Sequence, residues 1–208
     1  MEGVYVSAHP LIRHKLTVLR DVTTPPIKFR QVVREISMLL CYEATQDLVL
    51  KGKHVDTPLA PYNGDELADR MGLVPILRAG LGMVDGVLEM VPEAEVWHIG
   101  LYRDEETLRP VEYYNKLPEE SHVQICFILD PMLATGGSAT ATAQIVKDWG
   151  AGRIKFLGVI AAPEGIAAMR EAHPDIDLHV AAIDDRLNDV GFIVPGLGDA
   201  GDRQFGTG

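Results

Sequence analysis

The chain has 208 residues, 47% of them hydrophobic and 24% charged, with 30 acidic against 19 basic side chains and a net charge of −11. That suits one α/β domain with a sizeable core, and it argues against a nucleic-acid or anionic-membrane partner, which so negative a chain repels. Two cysteines in apolar surroundings, Cys41 and Cys126, read as buried free thiols; with no Cys/His cluster at zinc spacing, no signal peptide and no apolar run near 18 residues, the expectation is a soluble, cytoplasmic protein without a metal site of its own.

Residues 1–22 read as an N-terminal arm packed on the body or on a second subunit. His9, Arg13, His14 and Lys15 could place cations near a phosphate, but their spacing imposes no chemistry. Thr23-Thr24-Pro25-Pro26 breaks the chain and opens a helix. Phe29, Val32, Val33, Ile36, Leu39 and Leu40 then recur at the spacing of one helical face. Lys51 to Tyr62, with Pro58 and Pro61, reads as a small hairpin or loop excursion, and Asn63-Gly64 marks a turn.

Leu73 to Leu77 is a short apolar strand. Arg78-Ala79-Gly80-Leu81-Gly82 follows at once, and then a helix with Met83, Val84, Val87 and Leu88. Gly80 and Gly82 do not complete a dinucleotide fingerprint, because Gly86 comes one place too late. Arg78 is informative: an arginine at the carboxyl end of a parallel strand faces the crevice where ligands bind. Backbone strain, even a cis non-proline bond, is expected at such a clamp. Val96 to Leu101 is the next strand. Tyr102 to His122 is long, charged and poor in apolar residues, as lids are; a β-ribbon packed on another subunit is the alternative, and both can hold.

Ile125 to Leu129 is a buried strand ending at a carboxylate, Asp130. A loop with Thr135, Gly136, Gly137 and Ser138 follows, then a helix from Ala139 to Trp149 that Gly150 stops. Strand, glycine-rich turn and helix together aim free backbone N–H groups at a phosphate. The glycines permit positive φ and close approach. Ile154 to Ile160 is a strand, Ala161-Ala162-Pro163-Glu164 opens a short helix ending near His173-Pro174, and Ile176 to Ile183 is the last long strand. The alternation implies right-handed crossovers and a parallel sheet. Without repeat or linker, residues 1–208 form a single domain, with a lid at about 103–122.

The tail from Asp184 to Gly208 is rich in Gly and Asp. Gly196-Leu197-Gly198-Asp199-Ala200-Gly201 matches the dinucleotide pattern in letters, but no helix is expected before the chain ends, so that reading fails. Phe192, Ile193, Val194 and Phe205 read as packed anchors. The tail, about 184–208, is then a folded hood offering backbone groups to a flat ligand.

Asp130-Pro131-Met132-Leu133-Ala134-Thr135-Gly136-Gly137-Ser138 resembles the phosphate-ribose loop of the type I phosphoribosyltransferases. Four more blocks are similar to the uracil-using members of that family: His9 to Leu16, Pro75 to Gly80, Gly100 to Thr107 and Val194 to Arg203. The resemblance implies an α/β parallel-sheet fold of that type, with helices on both faces and a C-terminal base-binding hood. It implies transfer of a phosphoribosyl group from 5-phospho-α-D-ribose 1-diphosphate to uracil, giving UMP and diphosphate, in pyrimidine salvage. Many type I members carry two adjacent acids at the head of the loop; here the second position is Pro131, which leaves Asp130 alone to hold the ribose hydroxyls. The resemblance further implies that Arg78, Arg103 and a Mg²⁺ carried mainly by the substrate take the diphosphate. Residues Pro131, Met132, Leu133, Ala134, Thr135, Gly136, Gly137 and Ser138 line the phosphoribosyl site, and Ile193, Gly198, Asp199 and Ala200 hold the base. Asp199 also reaches the phosphoribosyl side, holding Mg²⁺ through water or helping to deprotonate uracil N1, so that Asp199, Arg103 and Asp130 carry catalysis. Relatives lead one to expect a homo-oligomer, dimer or larger, and in some cases activation by GTP. The competing readings are a sibling transferase for a purine or orotate, disfavoured by the tail, and an RNA-binding regulator, disfavoured by the charge.

Overall fold

The apolar runs of the sequence become neighbouring strands of one parallel sheet. The computed structural model describes residues 2–103, 110–119 and 121–207. Its first half runs β1 (Val4–Val6), α1 (Pro10–Arg20), α2 (Pro26–Ala44), β2 (Leu50–Asp56), β3 (Pro61–Leu67), β4 (Met71–Pro75), α3 (Leu81–Met90), β5 (Glu95–Val96), β6 (Ile99–Arg103) and β7 (Pro110–Asn115). The second half runs β8 (Ile125–Leu129), β9 (Met132–Leu133), α4 (Gly137–Asp148), β10 (Arg153–Ala161), α5 (Pro163–Ala172), β11 (Asp177–Ile183), β12 (Arg186–Leu187), β13 (Ile193–Val194) and α6 (Ala200–Phe205).

The main sheet has the order β1-β11-β10-β8-β4-β5, with every neighbouring pair parallel. β4 and β8 are buried along their whole length and β10 along nearly all of it. Both their faces are covered, so their sequences read as unbroken apolar runs rather than alternating ones. One face packs on α1, α2 and α3, where Phe29, Val33, Ile36 and Leu40 meet Leu73, Phe127 and Leu157. The other packs on α4 and α5, where Ala143, Val146, Ile166 and Met169 meet Ile128, Phe156 and Val180. α2 begins where the paired prolines predict, with Pro in its first turn, and Gly150, at φ +92°, ends α4. Among the described residues no helix is long and apolar enough to cross a membrane.

Three local expectations are corrected and one is made definite. Residues 10–20, expected in an arm packed on the body or on a second subunit, are a helix packed on the body: Ile12, Leu16 and Leu19 are buried on it and a His9 ring nitrogen caps it by accepting from the Leu11 N–H at 3.1 Å. The hairpin exists, but Asn63 and Gly64 lie inside β3; the reversal is at residues 57–60, where the Thr57 hydroxyl accepts from the Leu59 and Ala60 N–H groups. Residues 96–101 are not one strand. Glu95–Val96 ends the main sheet, while Ile99–Arg103 pairs antiparallel with Pro110–Asn115 as a separate ribbon. A helix, α6, does follow the glycine-rich tail motif.

Candidate active site

The direction of the chain reverses between two neighbouring strands. From β4 it crosses through α3 to β5 on one side, and from β8 through α4 and β10 to β11 on the other. The two helices leave toward opposite faces, so a crevice opens beyond the carboxyl ends of β4 and β8, where ligands bind in sheets of this type. Arg78 and Asp130 stand at those two ends.

Asp130 follows the fully buried β8, and its carboxylate accepts from the Met132 N–H at 3.1 Å. Its carboxyl is enclosed although part of the residue surface stays open. Burial pushes the carboxyl up to about 7; the Met132 bond opposes the rise and the charge of Asp199 adds to it. Asp199 lies far along the chain, yet it stands with Arg78 around Gly201, whose Cβ position is within 3.2 Å of both, at the strand end next to that of Asp130.

The loop after Asp130 divides in two. Pro131 and Leu133 are turned inward and their carbonyls accept from β10 and the residue that follows it: Pro131 from Val159 and Ile160 at 3.1 and 3.0 Å, Leu133 from Ala162 at 2.9 Å. Met132–Leu133 is therefore a short strand, β9, rather than free loop. Beyond it Thr135, Gly137 and Ser138 are exposed, with Gly136 buried between them against α5. Gly136 has φ +84° and starts α4 without a side-chain cap, which leaves the first-turn N–H groups to an anion. Behind this loop, α5 approaches so closely that a Cβ at Gly165 would lie 2.4 Å from the Ala134 carbonyl oxygen.

Arg78 follows a cis Leu77–Arg78 peptide, at the position where strain was expected. Its guanidinium donates to Asp202 at 2.8 Å and to the Thr207 hydroxyl at 3.2 Å, and lies 5.7 Å from the centre of the Phe205 ring. The hood thus reaches down to the end of β4. Asp199 caps α6, accepting from the Asp202 N–H at 2.8 Å. A Cβ at Gly201 would touch both Asp199 and Arg78, at 3.1 and 3.2 Å.

The hood is clamped from below. Arg20 of α1 grips the buried Asp184 with two bonds of 2.8 and 2.6 Å; Asp184 also accepts from the Gly196 N–H at 2.8 Å. Arg203 donates to the carbonyls of Leu197, at 2.9 Å, Leu19 and Asp21, and its guanidinium lies over Phe29. Between these anchors run the cis Val194–Pro195 peptide, Gly196 at φ +65° and Gly198 at φ +78°. Ile193 and Ala200 are buried, whereas Gly198 and Asp199 are exposed. Of the expected anchors Ile193 is buried in the core, whereas Phe192 and Phe205 are 43% and 38% exposed; Arg20, Asp184, Arg203 and the fully buried Gln204 add the rest of the hold on the tail.

The structure therefore brings Arg78, Asp130 and Asp199 together with the open part of the loop. Arg103 ends β6; its side chain lies outside the described residues, as do residues 104–109 of the lid. Sequence reasoning missed Gly165, Asp184 and Asp202, though Asp184 directly after the last long strand repeats the position of Asp130. Cys41 and Cys126 are buried and unbridged, and burial pushes their thiols up to about 11 and about 12.

A family model described as uracil phosphoribosyltransferase matches residues 6–207. A protein of Roseiflexus castenholzii named uracil phosphoribosyltransferase is 65% identical, with all of both chains covered. A solved structure from Aquifex aeolicus superposes with a TM-score of 0.93 at 40% identity, covering 98% of each chain. A hypoxanthine phosphoribosyltransferase from Staphylococcus aureus shares the fold at a TM-score of 0.54 and 10% identity, over 87% of this chain and 84% of its own.

Proposed function

The chain belongs to the uracil phosphoribosyltransferase family, and we propose that the crevice at the ends of β4 and β8 is where it works. The reaction joins uracil to 5-phospho-α-D-ribose 1-diphosphate and releases diphosphate, giving UMP for pyrimidine salvage. As diphosphate departs, positive charge develops on the ribose ring, as in other glycosyl transfers. No covalent nucleophile is needed. Catalysis comes from holding the ribose and orienting the base and from stabilising the leaving charge.

In this reading Asp130 accepts hydrogen bonds from the ribose hydroxyls. Thr135, Gly136, Gly137 and Ser138 cradle the 5′-phosphate with backbone N–H groups and two hydroxyls. Arg78 and Arg103 take the diphosphate. The backbones of Ile193, Gly198 and Ala200 face the polar edge of uracil, and Asp199 stands by N1, to take its proton or to hold a metal-bound water. Two carboxylates whose charges oppose each other in one crevice suit a neighbouring Mg²⁺. Among the described residues no three His, Cys, Asp or Glu side chains could hold a metal by themselves, so the ion would ride on the diphosphate with Asp199 behind it. When bound it neutralises leaving-group charge. Family membership also supports a homo-oligomer and a GTP effector as parts of this reading, and two buried, unbridged thiols support a reducing, cytoplasmic setting.

The observation that carries the proposal is the meeting of Arg78, Asp130 and Asp199, from three distant parts of the chain, at the switch point of the sheet. Diphosphate release is expected with uracil and not with cytosine, hypoxanthine or orotate. A backbone edge cannot flip as an amide side chain can, and a site built to hydrogen-bond one substrate rejects a mismatched one by factors up to ~10⁴–10⁵. Arg103→Ala is expected to raise the KM for phosphoribosyl diphosphate and to leave that for uracil unchanged. Equal losses for both substrates would make Arg103 part of the scaffold, and comparable turnover of cytosine would remove the hood from base selection.

A further inference from the structure

We propose that Asp202 is a placeholder for the diphosphate, holding Arg78 in the free protein and surrendering it when the leaving group binds. This rests on the reading of Arg78 as a diphosphate ligand. One carboxylate oxygen of Asp202 accepts both from Arg78, at 2.8 Å, and from the Thr207 hydroxyl, at 2.7 Å; that hydroxyl in turn accepts from Arg78 at 3.2 Å. The three side chains close a ring, so two arms of the Arg78 guanidinium are held without substrate. The partners come from α6 and the residue after its glycine cap, 124 and 129 positions away in the chain.

The ring is built to open. Side-chain exposure is 52% for Arg78 and 39% for Asp202, and ion pairs this open are weak. A diphosphate offers several charged oxygens in the geometry a guanidinium fork prefers, so it can outcompete one carboxylate. An unpaired Asp202 beside bound diphosphate would repel it; turning away with Thr207 relieves that repulsion. A carboxylate that exchanges in this way lowers substrate affinity by the strength of the pair it must break. It also keeps Arg78 ordered and eases release of the product diphosphate.

The test measures binding of inorganic diphosphate by calorimetry to the full chain and to D202N, T207V and R78A, with the KM for uracil as a second readout. Asp202→Asn and Thr207→Val are each expected to tighten diphosphate about two- to fivefold, the range an exposed ion pair is worth, without changing the uracil KM. Arg78→Ala is expected to weaken it at least tenfold, and adding Asp202→Asn to Arg78→Ala is expected to restore nothing. Thr207→Val carries no charge change, so tightening by Asp202→Asn alone would mean a general field effect and would overturn the proposal. So would a gain from Asp202→Asn in the Arg78→Ala background. If Arg78→Ala weakens binding while the other two variants match wild type or weaken it, Asp202 is a fixed buttress and the reading of the site stands. If Arg78→Ala changes nothing, that reading and the placeholder fall together. Should Asp202→Asn fail to fold, Thr207→Val, a near-isosteric change at an exposed residue, decides alone.

Discussion

Replacing Gly165 by Ala is expected to disable the phosphate loop from behind. Gly165 is the third residue of α5, and a Cβ there would lie 2.4 Å from the carbonyl oxygen of Ala134 and 2.7 Å from that of Leu133. Carbon and carbonyl oxygen rest at about 3.3–3.6 Å, so the loop must retreat by roughly 1 Å. Neither side has slack: a Cβ on Gly136 would already stand 3.1 Å from the Gly165 oxygen and 2.9 Å from the Ala168 Cβ. Misplacing positioning groups by ~1 Å costs about a hundredfold in rate, or about 2.7 kcal/mol of transition-state stabilisation. Stability moves less, because Ala is favoured over Gly inside a helix by about 1 kcal/mol and this offsets part of an overpacking cost of ~1–3 kcal/mol. The assay is kcat/KM for phosphoribosyl diphosphate beside urea unfolding. Gly52→Ala in the exposed hairpin, where an added Cβ meets nothing within 4 Å, is the control. A Gly165→Ala protein with wild-type kcat/KM would show that the loop does not depend on its contact with α5.

Asp130→Asn is expected to lose a charge-assisted bond worth ~1.5–3 kcal/mol, a tenfold to hundredfold fall in kcat/KM, yet to gain stability above neutral pH. The raised carboxyl of Asp130 keeps its proton in the folded state between about pH 4 and 7 while the unfolded chain has shed it, so wild-type stability falls as pH rises through that window. The advantage of the variant in urea, on the order of a few kcal/mol at pH 8, is expected to vanish near pH 4. His179 shows the opposite sign. It stacks on Tyr5 at 4.6 Å with a buried, unpartnered Nε2, and burial, with Lys155 behind it, lowers its pKa to about 4. The unfolded chain binds that proton first, so this contribution is complete above about pH 6.5 and is lost as pH falls toward 4. Between pH 7.5 and 5 wild type is expected to lose about 2 kcal/mol more than His179→Phe, and parallel losses in urea would refute it. Asp184→Asn breaks the buried end of the Arg20 clamp and is expected to cost ~3–5 kcal/mol. Uracil turnover should fall faster than diphosphate binding, and equal falls would mean that the clamp supports the whole domain rather than the hood.

Much of the site was legible because its parts are contiguous. Asp130, the loop and α4 form one strand–turn–helix unit, and each step is local: an apolar run buried on both faces, glycines where φ turns positive, and an exposed first turn. The alternation of such units also dictates the parallel sheet, since each strand needs a crossover to reach its neighbour. Local signals failed where a distant partner or a competing turn decides. Asn63-Gly64 is a turn signal, but the Thr57 hydroxyl and Pro58 reverse the chain earlier and register pulls Asn63 and Gly64 into β3. α6 has six residues, too few to stand alone in water; it exists because Arg203 reaches three backbone carbonyls and Arg30 donates to the carbonyl of Gln204. The placing of Asp199 and Asp202 beside Arg78 spans 121 and 124 positions of chain. No periodicity or motif encodes such distances. They are set by the order of strands in the sheet, which brings the ends of β4 and β8 side by side, and by the Arg20–Asp184 clamp, which folds the tail back over them.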